Sequence, residues 1–269
     1  MTRNLNSNGT FYRISGIKSS VTLVFIHGLG LNKNMWVNQI VDLEKENKIL
    51  CYDLYGHGQS KIADDQPSLT LFTEQLYSVL YDLRLSKVIL IGFSLGGMIA
   101  RHFTQKYGSL VSGLVILNSP HKRTKIAQDA VYRRYLQVCN NGPSSTVDEA
   151  IKRWFTPSFE LNNKKKINLV RSWVLANDPN IYCKNYKVLL EGVEEITDLP
   201  GSIKCPTLII TSEGDFGNGP QMSRNISAEI SGSKVIILPK LKHMALFEDP
   251  KKVNKYLRDF IWKICLGNK

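Results

Sequence analysis

The stretch Lys87-Val88-Ile89-Leu90-Ile91-Gly92-Phe93-Ser94-Leu95-Gly96-Gly97-Met98-Ile99-Ala100 decides how this chain is read. An apolar run of strand length enters a Gly-x-Ser-x-Gly pattern and passes straight into a helical one. That sequence of elements suits a nucleophilic serine. A sharp strand-to-helix turn holds the residue in a strained backbone conformation and lifts its hydroxyl clear of the sheet. Gly92 and Gly96 must be small because neighbouring elements pass close by. The helix N-terminus behind Ser94 offers free N–H groups and a positive dipole end to a developing oxyanion. Five residues alone match many chains by chance, and the plainer account is a glycine-rich turn with an incidental serine. The strand before and the helix after are the context that the catalytic reading requires.

Outward from this segment, strand-length apolar runs alternate with longer amphipathic stretches, the signature of a parallel sheet with crossover helices. The expected strands are Phe11–Ser15, Val21–Ile26, Lys48–Asp53, Lys87–Phe93, Gly113–Asn118, Thr207–Thr211 and Lys234–Leu238. The expected helices are Asn34–Glu44, Leu69–Leu83, Leu95–Tyr107, Gln221–Glu229 and Pro250–Lys263. Gly108 stands in a C-cap position, and Asp249-Pro250 supplies an N-cap with proline at the first helical position. Between His121 and Asp198 the rhythm breaks. Four helical patterns follow one another there, interrupted at Asn140-Asn141-Gly142-Pro143, Thr156-Pro157 and Asp178-Pro179. We expect a helical cap over 121–198, inserted in a core made of 1–120 and 199–269, above the sheet edge where open α/β folds bind ligands.

A serine on such an elbow is followed in chain order by an acid and then a histidine. Pro206–Asp215 is a strand ending in an acidic loop, and Lys234–His243 is a strand leading to a histidine. Both candidates lie past the C-terminal ends of strands, on the edge that carries Ser94. His243 is expected to take the Ser94 proton and return it to the leaving group, while Asp215 fixes its tautomer. Glu213 is the rival acid; Asp215 is preferred because it lies deeper in the loop. His57 in a glycine turn, His102 in the helix after Ser94 and His121 after Pro120 are expected to be structural or solvated. Phe25-Ile26-His27-Gly28-Leu29-Gly30 is a strand followed by a histidine-glycine loop. The backbone N–H groups of Leu29 and Leu95 are the expected oxyanion donors. The third glycine of a dinucleotide-binding loop is missing.

Composition excludes several classes. The net charge of +12 includes +4 from His121 to Asp198 and +6 from Lys234 to Lys269, spread over several elements. No aromatic-interleaved basic stripe or nucleic-acid-binding motif accompanies it, so a solvated surface is the expectation and nucleic acid is not an expected partner. Lys164-Lys165-Lys166 is read the same way. No apolar run approaches the roughly 20 residues of a membrane span, and Met1–Asn8 lacks the apolar core of a secretory signal. The five cysteines, at 51, 139, 183, 205 and 265, form no Cys-x-x-Cys and adjoin no histidine cluster. They are read as small buried hydrophobes in a cytoplasmic protein, with neither a disulfide nor a metal expected.

His27-Gly28-Leu29-Gly30, Asp53-Leu54-Tyr55-Gly56-His57-Gly58-Gln59-Ser60, Gly92-Phe93-Ser94-Leu95-Gly96-Gly97 and the late Asp215 and His243 together resemble the α/β-hydrolase superfamily over nearly the whole chain. Arg153-Trp154-Phe155-Thr156-Pro157 and Asp178-Pro179-Asn180-Ile181-Tyr182 are similar to the cap of 3-oxoadipate enol-lactonases. The loop Asp215–Pro220 departs from the proline-rich continuation of that group. The resemblance implies an α/β-hydrolase fold with a mostly parallel sheet, and cofactor-free hydrolysis of a small ester or lactone through Ser94. It also implies a pocket under the cap, walled by Trp154 and Phe155, with Arg153 placed to meet a carboxylate. Plain cap packing accounts for those three residues equally well. The same triad also serves carbon–carbon bond hydrolysis, perhydrolysis or a slow-turnover ligand receptor, and these alternatives stay open. Dehalogenase and epoxide-hydrolase readings are disfavoured, because they would put an aspartate where Ser94 stands.

Overall fold

The computed structural model describes residues 4–267. Met1–Arg3 and Asn268–Lys269, which contribute to the leader reading and the terminal charge count, lie outside them. Eight strands form one sheet: β1 (Asn4–Leu5), β2 (Phe11–Gly16), β3 (Thr22–Ile26), β4 (Lys48–Tyr52), β5 (Val88–Phe93), β6 (Val111–Leu117), β7 (Thr207–Ser212) and β8 (Lys234–Leu238). Their order is β1-β2-β4-β3-β5-β6-β7-β8. β1 and β2 pair antiparallel to each other and β2 to β4, and every other pair is parallel. β3, β5 and β7 are buried along their whole length, which explains why they read as unbroken apolar runs rather than alternating ones. β1 escaped the sequence because two residues carry no period.

Helices α1 (Val37–Leu43), α2 (Leu69–Asp82), α3 (Leu95–Tyr107), α9 (Pro220–Glu229), α10 (Ala245–Glu248) and α11 (Pro250–Gly267) cover the sheet. Caps set several boundaries. The Ser68 side chain accepts from Leu71 N at 3.0 Å to start α2, and Asp249 accepts from Lys252 N at 3.2 Å to start α11. Gly108 caps α3 in a right-handed conformation (φ −56°) and leads into a 3-10 turn.

Between β6 and β7 lies a helical insertion of α4 (Lys125–Asn141), α5 (Val147–Trp154), α6 (Pro157–Asn162), α7 (Lys164–Leu175) and α8 (Pro179–Glu191). Five helices replace the four read from sequence, because Asn163 leaves the helical region (φ −128°, ψ 41°) and divides α6 from α7. Lys164, Lys165 and Lys166 are exposed, as a solvated face requires. The two ends of the insertion are clamped together. Arg101 of α3, fully buried, donates to Pro120 O (3.0 Å) and Ile196 O (2.7 Å). Glu229 accepts from Asp198 N at 2.9 Å and meets His121 Nε2 at 2.7 Å, giving His121 a structural place.

The cysteines require a correction. Cys139 of α4 and Cys183 of α8 form a disulfide, with Cα atoms 4.9 Å apart. Only Cys51, Cys205 and Cys265 are free. An odd count does not exclude one pair, and the cysteine argument for a reducing compartment loses its premise. Among the described residues no helix is long and apolar enough to cross a membrane.

The glycines of the Ser94 elbow are fixed by contact. A Cβ at Gly96 would stand 2.2 Å from Ile26 O, and one at Gly92 would stand 2.2 Å from Gly96 O. Backbone cannot yield there. Gly96→Ala is therefore expected to lower unfolding stability by about 3 kcal/mol or more. Gly108, with a helical φ and nothing within 4 Å of an added Cβ, should tolerate alanine or gain up to about 1 kcal/mol. Urea denaturation of the two variants side by side measures the contrast.

Candidate active site

β5 ends at Phe93 and α3 begins at Leu95, leaving Ser94 between them at φ 53°, ψ −114°. That conformation is unfavourable for a residue with a side chain and persists only where its surroundings hold it. Here they do. Ser94 N donates to Leu117 O (2.9 Å), and Ser94 O accepts from Gly97 N (3.0 Å), Met98 N (3.3 Å) and the Ser119 hydroxyl (2.9 Å). The Ser94 hydroxyl makes no hydrogen bond among the described residues and lines a cavity of about 250 Å³.

His243 lines the same cavity, on the loop after β8. Its ring sits 4.7 Å from that of Phe93 and 6.1 Å from Trp154, centroid to centroid. Asp215, past the end of β7, receives the His243 Nδ1–H at 2.7 Å on Oδ2. An ionised carboxylate only accepts, so the proton stays on Nδ1 and Nε2 keeps its lone pair. Glu213, the rival acid, is exposed and accepts from Lys240 N at 3.1 Å, away from His243.

Asn118 and Asn218 escaped the sequence reading. Asn118 Nδ2 donates to Asp215 Oδ2 at 2.8 Å, while Gly217 N and Asn218 N donate to Oδ1 at 3.1 and 3.0 Å. Asn218 Nδ2 also donates to Asn118 O at 2.9 Å, tying the ends of β6 and β7 together. Burial pushes the Asp215 carboxyl upward, but the neighbouring His243 and these donors outweigh it, and its pKa lies below the usual carboxylate range. The one available signal was Asn118's place at the C-terminal edge of β6, at a φ of 45° that asparagine tolerates better than most residues.

Two buried histidines organise the loop after β3. Leu54 N donates to His27 Nε2 at 2.9 Å, so the proton sits on Nδ1, which donates to Gly28 O at 2.8 Å. Gly30 N donates to His57 Nε2 at 3.1 Å, and His57 Nδ1 donates to Tyr55 O at 3.1 Å. Burial lowers the pKa of both, that of His57 to about 3, so both stay neutral and the bonds persist. Further along, Lys33 N, Lys33 Nζ and Gln59 N converge on buried Asp53 at 2.8, 2.8 and 3.0 Å. Within this framework Leu29 N donates to no acceptor among the described residues, and Leu95 N begins α3 without one. Both residues are buried; Leu95 follows Ser94 in the chain, and Leu29 lines the same cavity as Ser94.

The insertion supplies the opposite wall: Arg123, Arg134, Arg153, Trp154, Tyr182 and Tyr186 all line the cavity. Phe155 does not. Expected beside Trp154 as a wall, it is fully buried, stacks on Phe159 at 5.2 Å and meets Phe247 at 6.3 Å, so it packs behind the cavity. Arg123, another residue the sequence reading missed, donates to Leu189 O (3.1 Å), Leu190 O (3.3 Å) and Gln128 Oε1 (3.2 Å). Burial brings its pKa down to about 10. Arg153 is also held below the usual guanidinium value, first by burial and then by repulsion from Arg134. Arg134 and Arg153 donate no side-chain hydrogen bond among the described residues, and Asp215, engaged by His243, is the only acid in the wall. No group of three or more His, Cys, Asp or Glu among those residues is arranged to hold a metal ion.

The chain is similar to known proteins along most of its length. It is 27% identical over 239 residues to the (E)-2-((N-methylformamido)methylene)succinate hydrolase of Acinetobacter baylyi, covering 89% of each chain. It is 26% identical to 3-oxoadipate enol-lactonase 1 of the same organism, covering 94% of this chain and 92% of that one. In fold it matches a thermophilic esterase from Thermogutta terrifontis, with a TM-score of 0.87 at 23% identity over 98% of this chain and 99% of that one. Residues 21–250 match the model of the alpha/beta hydrolase fold. With that match over most of its length, and a parallel sheet whose fifth strand turns through Ser94 into a helix, the chain belongs to the alpha/beta hydrolase fold family.

Proposed function

We propose that the chain is a cofactor-free serine hydrolase of small carboxylic esters or lactones that carry a second, anionic group. One observation carries this reading. The free Nε2 of His243, whose Nδ1 is held by Asp215, shares a cavity with the unengaged hydroxyl of Ser94. Ser94 is the nucleophile, His243 the general base and acid, and Asp215 the group that fixes the imidazole. Nε2 takes the Ser94 proton as Oγ attacks the ester carbonyl, and the N–H groups of Leu29 and Leu95 receive the oxyanion. Collapse expels the alcohol, or opens the lactone ring, as Nε2 passes the proton to the leaving oxygen and returns to neutral. Water then attacks the acyl-enzyme, His243 accepts its proton, and the acid leaves Ser94 free. The hydroxyl–imidazole hydrogen bond forms as substrate seats, as in other sites whose free form is looser.

Residues 121–198 act as a cap on a core of 1–120 and 199–269. Trp154 forms part of its inner wall, and Arg153 pairs with a carboxylate at the far end of the substrate. Arg134 and Arg153 stand side by side without an ion-pair partner, since Glu149, the nearby acid, pairs with Lys152 at 2.9 Å. That makes the wall anion-seeking, and the names of the Acinetobacter relatives, an (E)-2-((N-methylformamido)methylene)succinate hydrolase and a 3-oxoadipate enol-lactonase, agree with acid-bearing substrates.

A panel of small lactones and methyl esters tests the reading, and turnover of none of them would end it. The anionic part has its own measure. The preference for the methyl half-ester of a dicarboxylic acid over a neutral ester of equal length, expressed as a ratio of kcat/KM, should fall about 10- to 100-fold in Arg153→Gln. That is the scale of one charge-assisted hydrogen bond in a desolvated site. An unchanged ratio would assign the anion elsewhere.

A further inference from the structure

Helix α8 leans on the oxyanion loop. Asn177, just before it, donates from Nδ2 to Gly30 O at 3.1 Å. The Tyr182 ring lies against Gly30, 2.9 Å from where a Cβ would stand. Asn185 donates to Tyr55 O at 3.3 Å, beside His57, whose Nε2 receives the Gly30 N–H. Helix α8 is in turn joined to α4 at both ends. Near the C-terminus of α8, Arg123 and Gln128 bind the Leu189 and Leu190 carbonyls. Near its N-terminus the tie is the Cys139–Cys183 disulfide, one residue from Tyr182. Both cysteines are half-buried.

We propose that this disulfide is a redox-operated brace that sets the geometry of the oxyanion loop through α8, and with it the rate of the Ser94 chemistry. The proposal rests on Leu29 being an oxyanion donor. A dithiol reductant supplies the two electrons. One of its thiolates attacks a sulfur of the pair and releases the other cysteine as a thiolate, which takes up a proton. The second thiol of the reductant then resolves the mixed disulfide, leaving two protein thiols and an oxidised reductant. Reduced, α4 and α8 stay tied through Arg123 and Gln128, but the end of α8 that carries Asn177 and Tyr182 loses its covalent hold. The loop residues from Gly28 to Leu31 loosen with it.

Measurements on the full chain decide the matter. Thiol titration of the denatured, unreduced protein should find three thiols, the free Cys51, Cys205 and Cys265; five would overturn the proposal. On reduction kcat should fall about tenfold with little change in KM, because the oxyanion contact is made in the transition state. The loss should reverse on reoxidation. The Cys139→Ser/Cys183→Ser variant should show the reduced rate and no response to dithiol, and a response that persists in it would overturn the proposal. Reduction of a merely stabilising staple would lower the melting temperature but leave kcat below it unchanged. Hydrogen exchange at Gly30 and Leu31, whose amides bond to His57 and Gly28 O, should speed up on reduction whether or not an ester is ever turned over. Unchanged exchange would sink the brace while leaving the hydrolase reading intact, and absent turnover would do the converse.

Discussion

Ser94→Ala is expected to lower kcat/KM toward any ester substrate by about 10⁴- to 10⁶-fold, some 5–8 kcal/mol of transition-state stabilisation. The fold should survive, because the hydrogen bonds that hold the elbow run to the Ser94 backbone and not to its hydroxyl. The alanine keeps the Cβ that packs near Gly28 and removes only the oxygen facing the cavity. A fluorophosphonate probe should label the wild type and not the variant, with melting temperatures nearly equal. Equal labelling of both proteins would place the nucleophile elsewhere.

Asp215→Asn should come next, with kcat down about 10⁴-fold, as when a triad acid loses its charge. The geometry explains why the nearly isosteric change is severe. Oδ2 receives His243 Nδ1–H and Asn118 Nδ2, while Oδ1 receives the amides of Gly217 and Asn218. An asparagine has one acceptor edge for four donors. If its oxygen faces His243, its NH₂ opposes two backbone N–H groups. If it flips, the NH₂ donates to Nδ1 and drives the imidazole proton onto Nε2, where nothing remains to accept from Ser94. Glu213→Gln touches only Lys240 N and should stay near wild type. The reverse ranking would make Glu213 the acid. Steady-state kinetics of the two variants on one ester distinguishes the cases.

Local periodicity carried most of the fold. The central strands β3 to β7 could be read because burial on both faces demands continuous Val, Ile and Leu, the half-exposed β2 and β8 because they are short runs of strand length, and the helices around Ser94 because caps and apolar spacing agree. The same local chemistry left the α6–α7 break at Asn163 unread, since an asparagine is tolerated inside many helices. Within the candidate site, the convergence of Ser94, Asp215 and His243 on one cavity was legible from chain order and position after strands. Asn118 was not, because its role depends on β6 and β7 lying side by side. Trp154 and Phe155 show the limit most directly. Adjacent in sequence and alike in chemistry, they part where α5 ends, as Phe155 turns to extended backbone (φ −118°, ψ 153°) and goes behind the wall that Trp154 forms. The cysteine pairing was equally invisible. It depends on α4 and α8 lying antiparallel at one particular depth, which a separation of 44 residues does not encode.

The clamp of Arg101, Glu229 and His121 has a consequence for how such a protein changes over time. It holds residues 120–121 and 196–198 next to each other at the rim of the sheet, so everything between them hangs from a closed stem. Closing a chain segment costs little more when the segment grows, and the stem has already met most of that cost. Helices beyond it can lengthen, shorten or be exchanged without disturbing strand register or the elbow. The wall that the insertion gives the cavity can thereby be remodelled while the strand-turn-helix that carries Ser94 stays as it is.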